Sequence, residues 1–283
     1  MTVGRACARP GRLQRETVVG VDDRHSQAYA AVRMEWGPQG AAAIGTGADY
    51  AVVVDILSFT TTLSVALDLG AEVYPYRWRD ESAAGFARQH HATLAVGRLE
   101  AADPAAVVPQ VSLSPASMRA APGLTRLVLP SPNGSALSSQ LAASTAVVVG
   151  ACLRNRTAVA RWLARQRRAD GQPAVIAVVA AGEQWPDNSL RPAVEDLWGA
   201  GAVIAALEDS GVRGLSAEAG AAAAAFRAVE SSLGSDLADC SSGRELASAG
   251  GFSEDVSIAA ELDTSSSVPV LRDGRFVSAG GRR

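Results

Sequence analysis

Residues 50–71 read YAVVVDILSFTTTLSVALDLGA, and this stretch decides the fold class. Apolar residues 51–54 stop at Asp55, hydroxyl-bearing residues follow, and a helical pattern begins near Phe59. A short apolar run without polar alternation suits a strand buried on both faces. The same design recurs in RLVLPSPNGSALSSQLAAS (126–144), AVVVGACLRNRTAVARWLARQRR (146–168) and PAVIAVVAAGEQWPDNSLRPAVEDLWGAGAVIAAL (173–207). Strands alternating with amphipathic helices predict an α/β domain whose parallel or mostly parallel sheet is covered on both faces. Short strands are also expected at 72–76 and 93–96, and a loop with one edge strand over 104–117. An alanine-rich helix is expected over 216–233, and a closing hairpin in VPVLRDGRFV near the end. Residues 1–27 read as a basic leader without order, 28–278 as one domain, and 279–283 as a tail.

Composition narrows the function classes. The chain has 283 residues and a formal net charge of −3, so it carries no basic footprint for nucleic acid. It is 48% apolar, yet no run approaches the ~20 residues that cross a bilayer, which points away from a membrane. All 26 basic residues are arginine, which excludes Schiff-base lysines and lysine-bearing phosphate loops. Cys7, Cys152 and Cys240 are far apart and form no CxxC pair, as in a cytoplasmic protein without a disulfide framework. The three histidines lie away from the strand ends, against a catalytic triad or a histidine metal site. A homodimer is the default assembly for a small α/β enzyme.

In an open α/β sheet, ligands bind beyond the carboxyl ends of the strands. That rule gathers Asp55, Ser131, Asn133, Arg154, Asn155, Glu183 and Asp187 at one edge. Each has an ordinary explanation: an Asp ending a strand, an Asn133–Gly134 turn, Arg154 and Asn155 starting a helix. GAGA (199–202) reads as glycine permitting close packing against the sheet. The next helix is expected to carry Pro192 in its first turn with Ser189 as its cap. Glu195 and Asp196 in that turn favour the helix dipole. Glu183, Asp187, Glu195 and Asp196 nevertheless fall within fourteen residues, more acid than capping needs. A hard divalent cation relieves such repulsion, and Mg²⁺ uses one or two carboxylates plus water. The SFTTT and SPNGS loops offer donors at helix starts for an anion, and Arg154 and Arg191 offer bidentate contacts. Anion donors beside carboxylates for a metal suit phosphoryl chemistry.

Taken in order, VVVDILSFTTT (52–62), LSPAS (113–117), PSPNGSAL (130–137), GACLRNRTAVA (150–160), AAGEQWPDNSLRPAVEDLWGAGAVI (180–204) and CSSGRELASAGGFSEDV (240–256) resemble a known family. It is the 2-phosphosulfolactate phosphatase family of coenzyme M biosynthesis. The resemblance implies a three-layer α/β/α sandwich with a mostly parallel or mixed central sheet. It also implies Mg²⁺-dependent hydrolysis of a small acidic phosphomonoester. Onto this chain it carries Asp55, Asn133, Gly134, Asn155, Glu183, Glu195, Asp196 and Asp255 as site residues. The expected roles combine both readings. Asp55, Glu183 and Asp187 are the catalytic candidates, and Asp55, Glu183, Glu195 and Asp196 the metal candidates. Ser131, Asn133, Gly134, Arg154, Asn155 and Arg191 are expected to bind the small anionic phosphorylated substrate. Ser58 stands where the family commonly has an arginine, and 97–101 reads GRLEA where a GERGG-like stretch is expected, leaving Arg98 and Glu100 in its place. These departures raise an alternative: a relative without catalysis that binds an anionic metabolite.

Overall fold

A computed structural model describes residues 25–77, 80–101, 111–121, 123–144 and 147–280. Most of the basic leader, Cys7, the stretch 102–110 and the last three residues of the tail lie outside the described residues. Among the described residues eleven strands run in chain order: β1 Val32–Trp36, β2 Tyr50–Val54, β3 Glu72–Tyr76, β4 Thr93–Leu94, β5 Arg126–Pro130, β6 Val147–Ala151, β7 Ile176–Ala180, β8 Glu183–Gln184, β9 Leu190–Arg191, β10 Pro269–Arg272 and β11 Arg275–Ser278. Nine of them form one mixed sheet in the order β1-β7-β2-β6-β10-β11-β3-β5-β4, while β8 and β9 make a separate small hairpin. Helices cover both faces, so the molecule is a three-layer α/β sandwich.

Alternation along β2 explains the two layers of core. Val52 and Val54 face one side with helices Val194–Asp209 and Ala217–Val229. Ala51 and Val53 face the other with Phe59, Leu63 and Leu141. All four strand residues are fully buried, which is why the strand reads as a continuous apolar run. None of the described helices is long and apolar enough to cross a membrane.

The closing hairpin does more than close the chain. β10 pairs antiparallel with β6, and β11 pairs antiparallel with β3, so the hairpin is wedged inside the sheet. Three successive antiparallel pairings set the β3-β5-β4 block opposite in direction to β1-β7-β2-β6. β2 and β5 are five strand spacings apart, roughly 24 Å across a flat sheet. Yet the Gly134 N–H, four residues past β5, donates to Asp55 Oδ2 at 2.9 Å, just past β2. Only a strongly curled sheet brings those ends together. Phe276 of β11 fills the inside of the curl, fully buried with its ring 6.2 Å from that of Phe59.

Several expectations are corrected. β1 and the helix Gly37–Gly45 extend the sheet where the sequence showed no clear strand. The alanine-rich segment divides into helices Ala217–Val229 and Leu233–Asp239. β4 covers only Thr93–Leu94, and the expected loop includes a short helix, Pro115–Arg119. Pro192 is not in a helical first turn, because β9 holds the chain extended through Arg191 and the helix begins at Val194. Ser189 bonds Asp187 within the hairpin turn instead of capping that helix.

The two glycines of GAGA have different partners. A Cβ on Gly199 would sit 2.4 Å from Ile56 Cδ1, against the sheet side, whereas one on Gly201 would sit 2.0 Å from the Ala222 carbonyl of the next helix. Gly201→Ala is therefore expected to destabilise the protein by about 1–3 kcal/mol through overpacking. Gly220→Ala, with open space at its Cβ position, is expected to stabilise it by roughly 0.5–1 kcal/mol. Urea unfolding of the two variants checks the contrast; equal effects would contradict the close helix approach.

Candidate active site

Asp55 directly follows β2 and is 5% exposed. Its Oδ1 accepts the Phe59 N–H at 3.1 Å, and its Oδ2 accepts the Gly134 N–H at 2.9 Å. The first bond caps the helix Phe59–Asp68, and the second joins the two halves of the curled sheet. Asp196, in the first turn of Val194–Asp209, plays a parallel part. Its two oxygens accept the Ile56 N–H at 2.7 Å and the Gly182 N–H at 2.8 Å. The loops after β2 and β7 are thereby pinned to one helix start.

A cleft of about 530 Å³ opens over this framework. Asp55, Ser58, Arg98, Asn133, Glu183 and Arg191 line its functional wall, with Trp185 and Glu245 also around it. Asn133 Nδ2 donates to Glu183 Oε2 at 2.9 Å, and the Ser131 hydroxyl accepts the Gly134 N–H at 3.2 Å. Arg191 donates to the Ser242 hydroxyl at 3.3 Å and lies over the Trp185 ring at 5.8 Å. Arg98 donates through Nε to Asp255 at 2.9 Å and also reaches the Ser58 hydroxyl.

The structure does not bring all the sequence candidates together. Asp55, Ser131, Asn133, Glu183 and Arg191 line the cleft, with Gly134 immediately beside it. Glu195 and Asp196 lie beneath, 2% and 3% exposed. Arg154 is elsewhere: it bonds the Ser64 hydroxyl at 3.0 Å and pairs with Asp68 and Glu261, each at 3.2 Å. Asn155 is fully buried, accepting the Cys152 N–H and donating to the Ser267 carbonyl. Both serve the fold around β6. Asp187 sits exposed on the β8–β9 turn, where bonds from Ser189 hold its carboxyl below the usual range. Arg98, Ser241, Ser242, Glu245 and Leu246 also line the cleft without having been assigned site roles from sequence. Arg98 was visible only as a substitute within GRLEA, and Ser241 and Ser242 lie in the CSSGRELASAGGFSEDV stretch, where no residue but Asp255 was given a site role.

The carboxylates disturb one another. Burial pushes Asp55 up to about 6, eased by the Phe59 and Gly134 N–H groups and by Arg98. Burial, then the charge of Asp55, pushes Glu183 up to about 7. Burial, with Asp55 and Glu195 as charged neighbours, raises Asp196 well above the usual range. Among the described residues no group of three or more His, Cys, Asp or Glu side chains is placed to hold a metal. Mg²⁺ needs only one or two carboxylates plus water, and Asp55 and Glu183 both face the cleft, with Glu245 a third carboxylate in its lining. The donor set is hard oxygen with excess negative charge, which fits such a cation.

Raised carboxyl values have a defined sign in stability. Asp55 and Glu183 keep protons in the folded protein that the unfolded chain releases, so their stabilising contribution is complete below about pH 4 and is lost as pH rises through about 6 and about 7. In EDTA, moving from pH 5 to pH 8 is expected to lower the unfolding free energy by about 2–4 kcal/mol from these groups. Glu183→Gln is expected to flatten part of that slope. Urea titrations of both proteins at the two pH values measure it, and a profile that rises with pH would contradict the assignment.

Comparison with individual curated proteins gives no match. The family model for 2-phosphosulpholactate phosphatase matches residues 41–274. That span holds every strand from β2 to β10 and all the residues lining the cleft, and the family name implies phosphatase action on a small phosphorylated acid. The chain belongs to the 2-phosphosulpholactate phosphatase family.

Proposed function

We propose that the chain hydrolyses a small acidic phosphomonoester such as 2-phosphosulfolactate, with Mg²⁺, in the cleft over Asp55. The observation that carries this reading is the pairing within one cleft of guanidiniums, Arg98 and Arg191, with the carboxylates of buried Asp55 and half-buried Glu183. Two cations attract a substrate of several negative charges. The carboxylates would repel it unless a proton or metal offsets them.

Asp55 would hold the metal in this reading, because two backbone N–H groups fix its orientation at the cleft floor. Bound Mg²⁺ would screen the phosphoryl oxygens and stabilise the charge that shifts during transfer. Asn133 has one amide hydrogen engaged by Glu183 and directs the other to a phosphoryl oxygen. Of the catalytic candidates Glu183 and Asp187, Glu183 takes the proton-transfer role, since burial pushes its carboxyl up to about 7 whereas Asp187 is exposed. A group with that affinity can donate to the leaving oxygen or orient water near neutral pH. The alternative of a binding relative without catalysis arose from Ser58 and GRLEA. Arg98 of that stretch reaches Ser58, so the cleft retains a guanidinium there. A cytoplasmic location and a symmetric dimer belong to the same reading; the buried free thiols of Cys152 and Cys240 support the first.

Phosphate release from three-carbon phosphomonoesters, with Mg²⁺ and then with EDTA, tests the proposal. Release that EDTA abolishes is the expected result. Asp55→Asn, in protein that circular dichroism shows to be folded, is expected to lower kcat by roughly 100-fold or more. Folded, Mg²⁺-loaded protein that releases no phosphate from any ester would replace this reading with the binding module, and EDTA-insensitive turnover would remove the metal from it.

A further inference from the structure

Arg98 and Asp255 are 157 residues apart in sequence and meet at the edge of the cleft. The helix Arg98–Ala101 has four residues and buries none of them, so its own packing does little to aim a side chain. The guanidinium is fixed by other means. Its Nε donates to Asp255 Oδ2 at 2.9 Å, its Nη2 reaches the Ser58 hydroxyl and the Leu113 carbonyl, and the Phe252 ring centroid lies 5.8 Å from Cζ. Asp255 is 1% exposed and stands outside the cleft lining. Its second oxygen accepts the Ser114 hydroxyl and the Ala116 N–H, which leaves the carboxylate little freedom to turn. A buried acid with that set of partners acts as a fixed post for Arg98.

The two cleft arginines are held differently. Arg191 has a 3.3 Å bond to Ser242 and lies over Trp185, which is 52% exposed. It is also the cation felt by Glu183, at the Asn133 end of the cleft, where the phosphate is placed in the proposed reaction. Arg98 is tied to Ser58, on the loop between Asp55 and the helix Phe59–Asp68. With the phosphate held at the Asn133 end beside Arg191, Arg98, the cation felt by Asp55, is the guanidinium left for the substrate's other acid. Planar recognition of a carboxylate or sulfonate depends on how the fork is oriented. Orienting it before binding removes an entropy cost of ordering a long side chain.

We propose that Arg98 receives the second acidic group of the substrate, a carboxylate or sulfonate, and that Asp255 is the positioning residue that holds Arg98 there. This rests on the phosphomonoester reading of the cleft. It assigns specificity to a contact between GRLEA and a helix near the end of the chain, Ser253–Ala259.

The test uses the full chain with Mg²⁺ and two esters of the same shape, 2-phospholactate and isopropyl phosphate, which lacks the second acid. Arg98→Met is expected to lower the kcat/KM ratio of the first ester to the second by about tenfold or more, with the loss on 2-phospholactate in KM. Asp255→Asn keeps an oxygen for Ser114 and is expected to lower the same ratio by about threefold or more, while Arg98→Lys retains part of the preference. Calorimetric binding of sulfolactate in the presence of inorganic phosphate reads the contact without turnover, and Arg98→Met is expected to weaken it. Equal loss on both esters would overturn the proposal, because Arg98 would then grip the phosphate. An unchanged ratio in Arg98→Met would overturn it as well. Wild-type protein that hydrolyses neither ester but binds sulfolactate through Arg98 would uphold this assignment while removing the phosphatase reading. Protein that does neither would overturn both.

Discussion

The hydrogen bond from the Gly134 N–H to Asp55 is the contact on which the site depends. It ties the loop after β5 to the end of β2, across a sheet that would hold them far apart if it were flat. A buried carboxylate without donors is costly, and backbone N–H groups are its natural compensation. Only glycine fits here, because a Cβ at position 134 would lie 2.3 Å from the Phe59 ring and 2.7 Å from Asp55 Oδ2. The same contact that closes the fold therefore sets Asp55 at the floor of the cleft.

The price of this arrangement is electrostatic. Asp55, Glu183 and Asp196 lie close to one another and to Glu195, and burial together with neighbouring charge raises the proton affinity of those three. A core selected for stability alone would not gather them. Their backbone bonds hold the loops in register, and Arg98 offsets part of the charge at Asp55. The remaining imbalance faces a cleft rather than apolar core, where a cation or a proton can relieve it. Strain of this kind concentrates where chemistry is done.

Arginine placement shows how tertiary partners divide similar residues. Arg154 follows a strand at the expected sheet edge, yet Asp68 and Glu261 claim its guanidinium and draw it into the framework. Arg98 lies in a short surface helix with no motif of its own, yet Asp255 and Ser58 hold it at the cleft. Both assignments depend on acids more than 80 residues away in sequence.

By itself, the sequence determined the alternation of β2, β5, β6 and β7 with their helices, because burial on both faces leaves an apolar run that local reading detects. It also determined that Asp55, Asn133 and Glu183 end or follow such strands. β1 escaped notice because buried Arg33 interrupts its apolar run, the guanidinium being satisfied by the carbonyls of Ala30, Ile44 and Thr46. β8 and β9 are two-residue strands, too short to show a periodicity. Only the tertiary structure decided that the hairpin at the end of the chain enters the middle of the sheet, that the sheet curls, and that Arg98 rather than Arg154 reaches the cleft. Those outcomes follow from pairings between distant segments, set by the packing of the whole chain, and no local pattern of residues encodes them.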